Sequence, residues 1–316
     1  MSKTERKILF YDLKSTAGSR TFDSPTPLSL KRLFQLMELV PIDIRKLELS
    51  NKTQTIYVSK WKTTGNDVHI LVNRSDQSIA DPIFSVPATN SRRTVEKEDD
   101  EGQDFSAHIL IRLPKIATDS ALLLIEQCPG LSAELIGKLF KAILKLARAL
   151  SPTDYVQKHP DGSVDELGNP RTYNLRLGFL VDGHISPDFA ADLNQGQIRS
   201  IELITHRKLN TPFDTVGYFT EDTRTVKLVV DPGGVVANIA NHVMNVFQQN
   251  KTTYDVAKVR FVAPDGEQER TVTLDTNGAP DNYVKKEIIS GFDTLLKNSY
   301  EDFNKEILDK MTLIAN

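Results

Sequence analysis

The residue whose type most directly suggests chemistry is Cys128, the single cysteine of the chain. A thiol close to a helix N-terminus can ionise and act as a nucleophile. Here Pro129 and Gly130 follow the cysteine, and Ser132 is the better candidate for the N-cap of the helix. A catalytic cysteine also needs a base oriented by a third group, and the six histidines suggest no such arrangement. We therefore interpret Cys128 as a small buried apolar residue.

The helix that follows the cysteine carries a second candidate, a stripe of positive charge. At about 100° per residue, apolar residues fill one broad face, and four basic residues fall within about 80° on the opposite side. No acidic residue follows Glu134 in this stripe. Such a stripe suits phosphate groups, although an ordinary surface helix also has a solvated back, and both interpretations stay open. The four residues are Lys138, Lys141, Lys145 and Arg148.

The second half of the chain offers further groups for binding nucleic acid. A predicted helix at about 234–249 has a face of uncharged amides, which can bind adenine edges but also suit a protein interface. Basic residues begin and follow a predicted strand at 199–206. The candidate residues are Arg199, Arg207, Lys208, Asn241 and Asn245.

Motifs of most catalytic and metal-binding classes are missing. The sequence has neither the Walker nor the Rossmann glycine pattern, and it lacks HExxH and GxSxG. One cysteine cannot form an internal disulfide or a cysteine zinc site. The sequence therefore favours a binding protein over an enzyme, with no metal and no cofactor, and it identifies no small-molecule substrate.

An acidic run, EKEDDE at 96–101, is typical of a solvated loop. A sharper hypothesis is that this loop competes with nucleic acid for the basic helix.

The amino-acid composition limits the classes of protein to which the chain can belong. The chain has 316 residues, of which 39% are hydrophobic and 26% are charged, as in soluble globular proteins. Its net charge of -3 means that attraction to nucleic acid must come from a local patch. No apolar run approaches the roughly 18 residues that a membrane span needs, and no signal-peptide core is present. We expect a cytoplasmic protein.

The order of the predicted helices and strands, which would position these residues, indicates an α+β fold of two domains. Its sheets would be mostly antiparallel, with helices packed on one face. A segment rich in Pro, Gly and Asp at 151–171 predicts a linker. It would separate an N-terminal domain at 1–150 from a C-terminal domain at 172–316. A long amphipathic helix is predicted at about 282–312, and its length suggests packing against a second subunit, hence a homodimer.

The order of these segments resembles a known group of proteins. The relevant stretches are EGQDFSAHILIRLP and ALLLIEQCPGLSAELIGKLF in the first half, and TVKLVVDPGGVVANIANHVMNVF and VRFVAPDGEQERTVTLD in the second. Their order resembles the phage-exclusion proteins of the lambda RexA type and is similar to the KwaB component of the Kiwa anti-phage system. The likeness is one of element order, so it carries no residue roles. It implies a cytoplasmic, dimeric, DNA-binding protein that acts in phage defence beside a membrane-protein partner.

Together these observations predict a protein that binds double-stranded DNA without sequence preference, through phosphate contacts, in a phage-exclusion or anti-phage system. Two alternatives stay open. One is a protein-interaction adaptor that binds no nucleic acid. The other is a metal-dependent nuclease whose carboxylates come together only in the fold.

Overall fold

The computed structural model describes the chain in thirteen stretches that form two compact units. One unit comprises Met1–Val181 with Glu287–Asn316, and the other comprises Asp182–Lys286. The segment 151–171, predicted as a linker, lies inside the first unit. The described residues are 1–49, 52–116, 120–184, 187–195, 197–205, 209–212, 220–221, 223–229, 239–250, 253–254, 256–262, 269–275 and 284–315.

Helices and strands are distributed along the whole chain, as expected for the α+β class. The helices are α1 (Leu30–Glu38), α2 (Ala133–Leu150), α3 (Pro187–Gln195), α4 (Ile239–Asn250) and α5 (Lys305–Ile314). The strands are β1 (Glu5–Gly18), β2 (Lys46–Leu49), β3 (Gln54–Thr64), β4 (Asp67–Asp76), β5 (Ile83–Val86), β6 (Ser91–Thr94), β7 (Gln103–Arg112), β8 (Ala121–Glu126), β9 (Val156–Lys158), β10 (Thr172–Asn174), β11 (Arg176–Gly183), β12 (Gln197–Thr205), β13 (Leu209–Pro212), β14 (Thr220–Glu221), β15 (Arg224–Leu228), β16 (Val256–Val262), β17 (Glu269–Asp275) and β18 (Lys286–Ser290).

The first unit is built on a sheet of eight strands in the order β11-β1-β8-β7-β4-β3-β2, with β18 also beside β1. The pairs from β1/β8 to β2/β3 are all antiparallel. The central strands β1, β8, β7 and β4 are rich in Ile, Leu and Val, and they are buried on both sides. In β1, for example, the neighbours Ile8, Leu9 and Phe10 point alternately to opposite faces, yet each is at most 6% exposed.

Helices cover both faces of this sheet, rather than the predicted single face. On one face, Ile307 and Met311 of α5 pack against Ile8, Phe10 and Leu110 of the sheet. On the other face, α1 lies against β1 and α2 against β2. There Phe34 of α1, Phe140 of α2 and Phe179 of β11 form an aromatic cluster, with ring centroids 5.5–5.9 Å apart.

The prediction of a long C-terminal helix at 282–312 is wrong. From residue 284 onwards the chain forms β18, an irregular segment and then the short helix α5. Gly291 has a φ of +71°, a left-handed conformation that interrupts any helix. Asn304 begins α5 as its N-cap, because its side chain accepts a hydrogen bond of 3.1 Å from the backbone N–H of Ile307. The regular spacing of apolar residues that suggested one helix arises because β18, the irregular segment and α5 each place apolar side chains against the same sheet.

The second unit has a smaller antiparallel sheet in the order β15-β12-β16-β17. The predicted hairpin at 256–275 is present, with β16 paired to β17 from Val256↔Asp275 to Val262↔Glu269. Val243 of α4 and Leu193 of α3 pack in one core cluster with Phe261 of β16. The helix predicted at 234–249 corresponds to α4, and residues 234–238 lie outside the described residues.

A buried polar network holds the C-terminal segment of the first unit in place. The Arg6 Nε atom donates to Glu126 Oε1 at 2.5 Å, and a second Arg6 nitrogen donates to the carbonyl of Lys297 at 2.5 Å. Glu126 Oε2 accepts hydrogen bonds from the backbone N–H and the Nδ1 atom of His108, at 3.0 and 2.7 Å. His108 Nε2 in turn accepts from the backbone N–H of Asn304 at 2.9 Å. The side chains of Arg6, Glu126 and His108 are at most 2% exposed.

Replacing Glu126 should be costly. Glu126→Ala leaves the Arg6 guanidinium buried without its partner, so the free energy of unfolding of the first unit should fall by about 3–5 kcal/mol. Urea denaturation followed by circular dichroism measures the change. Asp302→Ala is the matched control, since its carboxylate pairs with Lys60 on the surface at 3.3 Å, and little change is expected. Equal effects of the two substitutions would contradict this account of the network.

Candidate nucleic-acid interface

Helix α2 presents the predicted basic stripe on a well-defined outer face. The helix begins where the Ser132 side chain accepts a hydrogen bond of 3.2 Å from the backbone N–H of Leu135, which confirms Ser132 as the N-cap. Its apolar face is buried in the first unit. This fixes the rotation of the helix and turns the opposite face to solvent. The buried residues are Ile136, Leu139, Phe140, Ile143, Leu144 and Ala147.

The four cations of the stripe are all exposed, but they differ in their partners. Lys138 Nζ lies 2.6 Å from Glu134 Oε1, one turn earlier, which offsets part of its charge. Arg148 donates to the side-chain oxygen of Asn174 at 2.8 Å and lies over the ring of Tyr155. Among the described residues, no side chain forms an ion pair with Lys141 or Lys145. These two lysines therefore carry the uncompensated charge of the helix.

The bond between Arg148 and Asn174 joins α2 to a strand that comes much later in the chain. From residue 172 to 177 the side chains alternate, with Tyr173, Leu175 and Leu177 buried. Thr172 and Asn174 are exposed and share the outer face of β10, and Arg176, the first residue of β11, is also exposed.

Two further cations, which the sequence pattern did not single out, lie on or beside that outer face. Arg176 begins β11 two residues beyond the end of β10 at Asn174, so the backbones of these two residues lie within about 7 Å of each other. Lys158 is paired with Thr172 across β9 and β10, so its side chain is on the same side. Residues 156–158 lie within the predicted linker at 151–171, and the alternation of buried and exposed residues from 172 onwards is the signal that could have indicated Arg176. We define the basic face as Lys141, Lys145, Arg148, Lys158 and Arg176.

The other predicted contact residues belong to the second unit. Arg199 is exposed and lies at a bulge in β12, between the paired residues Ile198 and Ser200. Asn245 is exposed on α4. Asn241 is also on α4, but its side chain lies outside the described part of the structure. Arg207 and Lys208 lie outside the described residues altogether.

The environment of Cys128 agrees with its interpretation as a packing residue. The thiol is 6% exposed, and its residue forms an isolated bridge with Leu131. Burial, followed by the nearby carboxylate of Glu126, raises the pKa of the thiol to about 12. A thiol with this pKa is protonated near neutral pH and is a poor nucleophile.

The acidic run is tied to the end of β4 rather than to α2. Lys97 Nζ donates to the carbonyls of Gln77, at 3.1 Å, and Ile79. The side chain of Gln77 donates to the carbonyl of Asp100 at 3.2 Å. Within the described ranges, no ion pair connects residues 96–101 with the basic face. Competition between this loop and nucleic acid stays a prediction.

The described residues contain neither a candidate metal cluster nor a helix that could span a membrane. No group of three or more His, Cys, Asp or Glu side chains in that part of the chain is arranged to hold a metal ion. None of its helices combines the length and the apolar character that crossing a membrane requires.

Comparison with known proteins gave no match: no family model fits the sequence, and no curated protein or solved structure is significantly similar to it.

Cys128 should resist alkylation in the folded protein. At pH 8, a thiol with a pKa of about 12 is almost entirely protonated, so iodoacetamide should modify it far more slowly than after unfolding in urea. Mass spectrometry measures the modified fraction over time. Lys141→Cys, which adds a thiol on the exposed face of α2, is the positive control and should react quickly. Rapid modification of Cys128 in the folded wild-type protein would contradict its assignment as a packing residue.

Proposed function

We propose that the protein binds double-stranded DNA with little sequence preference through the basic face. The supporting observation is the pair Lys141 and Lys145, which are exposed and have no acidic partner among the described residues. Arg148 lies on the same side of the helix and is held by Asn174. Lys158 and Arg176 extend the positive surface from α2 onto the neighbouring strands.

The dimensions of this surface suit a duplex. At a rise of 1.5 Å per residue, Lys141 and Arg148 lie about 10 Å apart along the helix axis. Duplex DNA carries one phosphate charge for about every 1.7 Å of its length, or roughly six charges over this distance. The three cations on this part of the helix, Lys141, Lys145 and Arg148, can therefore each lie near a phosphate. Such contacts supply affinity without reading bases.

The chemistry of the side chains supports low sequence preference. Readout of bases commonly uses Arg, Asn or Gln side chains that make paired hydrogen bonds in a groove. On the basic face, Arg148 and Asn174 already bond to each other, which occupies the groups best suited to that role. The lysines act as point charges and bind any phosphate. The net charge of -3 does not oppose this, because charges farther away than about 8–10 Å are largely screened.

The proposal has a wider part that rests on the order of segments in the sequence. The likeness to phage-exclusion proteins supports a role in phage defence, as a cytoplasmic homodimer beside a membrane-protein partner. In the second unit, Arg199, Arg207, Lys208, Asn241 and Asn245 are proposed to add DNA contacts. Phage plating on cells that express the wild-type chain or the charge-reversed variant described next tests whether DNA binding and defence go together.

Reversing the two uncompensated lysines should weaken binding to all sequences alike. In Lys141→Glu/Lys145→Glu, two phosphate contacts are lost, so the slope of log affinity against log salt should become less steep by about 1.8. Mobility shifts on two unrelated duplexes, each over a series of salt concentrations, measure this change.

Two further variants control for net charge and for position. Lys115→Glu/Lys305→Glu reverses two exposed lysines outside the basic face and should leave the slope unchanged. Glu134→Gln releases Lys138 from its ion pair and should strengthen binding. Unchanged binding by Lys141→Glu/Lys145→Glu would place the DNA site elsewhere, and a selective loss on one duplex would contradict low sequence preference.

A further inference from the structure

A separate feature of the first unit is the ribbon formed by β5 and β6. The two strands pair only with each other in the described part of the chain, from Ile83↔Thr94 to Val86↔Ser91. A short turn at Pro87–Thr89 connects them, and Asn90 completes the turn in the left-handed conformation at φ +51°. All eight strand residues are exposed, on both faces of the ribbon. The ribbon therefore contributes nothing to the core described above.

The ribbon exposes large apolar side chains that a surface element rarely shows together. Ile83 is 65% exposed, Phe84 is 54% exposed and Val86 is 53% exposed. A two-stranded hairpin is only marginally stable by itself in water. Contiguous exposed apolar residues usually mark a surface that another molecule covers. These properties indicate a binding element whose partner contacts its tip and sides.

The charge of the ribbon indicates which kind of partner this is. From residue 83 to residue 95 there is no acidic residue, whereas Arg92 and Arg93 are adjacent. Neighbouring residues on a strand point to opposite faces, so each face of the ribbon carries one guanidinium. Arg93 lies over the ring of Phe84 at 5.2 Å, which holds it along the ribbon. Positive charge on both sides complements a partner that surrounds the ribbon with negative charge, as the walls of a DNA groove do.

We propose that this ribbon enters the minor groove of duplex DNA and kinks the duplex. Proteins that bind the minor groove often insert apolar side chains such as Pro, Ile or Phe between base pairs, which bends the DNA by about 20–90°. Val86 and Pro87 at the tip are exposed and have this apolar character. Arg92 and Arg93 contact the phosphates on either side. This inference rests on the proposed binding of DNA and deepens it, since it names a bent duplex as the preferred form.

The acidic run that follows the ribbon does not prevent this contact. The backbone N–H of Val95 donates to the carbonyl of Pro82 at 3.0 Å, which closes the base of the ribbon. Four strand residues at about 3.3 Å each separate the base from the tip by about 13 Å. The screening length at physiological salt is about 8 Å. Glu96 and the acids after it therefore repel DNA at the base while the tip stays accessible to it.

The experiment separates the contribution of the arginines from that of the tip. It uses the full chain and a duplex of about 30 base pairs with a fluorescent dye at each end, so that energy transfer reports bending. Arg92→Ala/Arg93→Ala should make the salt slope of binding less steep by about 1.8. Val86→Ser/Pro87→Ala should leave that slope unchanged but reduce the rise in energy transfer. Lys115→Ala/Lys305→Ala is the matched control for two lost cations and should change neither quantity.

Several outcomes would overturn the inference. If Lys141→Glu/Lys145→Glu weakens binding but Arg92→Ala/Arg93→Ala has the wild-type slope, the proposed function stands and the ribbon does not contact DNA. If the wild-type protein binds without bending the duplex, the kink is wrong. If Phe84→Ser changes the oligomeric mass in light scattering but not DNA binding, the ribbon is an interface between copies of the chain. If the wild-type protein does not shift DNA at any salt concentration, the inference and the proposed function fall together.

Discussion

The first unit depends on one buried carboxylate, that of Glu126. It sits at the end of β8 and accepts hydrogen bonds from Arg6 near the start of the chain and from His108 on β7. Because Nδ1 of His108 bonds to this carboxylate, and Nε2 accepts from the backbone N–H of Asn304, the imidazole is a neutral tautomer with its proton on Nδ1. The buried ion pair is the one between Arg6 and Glu126. Such a pair is tolerated only when the remaining hydrogen-bonding groups of both side chains are satisfied, as they are here. The network joins both ends of the chain to the centre of the sheet.

The two proposed DNA contacts have a different physical character. The basic face and the ribbon lie outside the core, and their cations remain in water rather than in buried ion pairs. The Arg6–Glu126 pair fixes the position of chain segments at the cost of desolvation. In contrast, Lys141 and Lys145 keep their charge available for a partner. A chain with a net charge of -3 can thus combine a buried, paired set of charges with small surfaces of uncompensated positive charge.

The periodicity of apolar residues predicted the structure correctly where a single helix or hairpin packs against a single hydrophobic core. It predicted α2 and the β16–β17 hairpin, and the residue types around Cys128 predicted the N-cap Ser132 and the burial of the thiol. It failed for residues 284–312, because apolar spacing cannot distinguish one long helix from a strand, a turn at Gly291 and a short helix that cover the same sheet. It also missed Lys158 and Arg176. Their place on the basic face depends on the bond between Arg148 and Asn174, which joins positions that no local pattern relates.

The order of β1 and α5 along the chain has a consequence for synthesis. Ile8 and Phe10 are translated before the residues that cover them, Ile307 and Met311. The whole second unit, Asp182–Lys286, is translated in between. At about 5–20 residues per second, these roughly 100 residues take about 5–20 s. During that time α5 is not yet available, so Ile8, Phe10 and Leu110 lack the side chains that cover them in the folded unit.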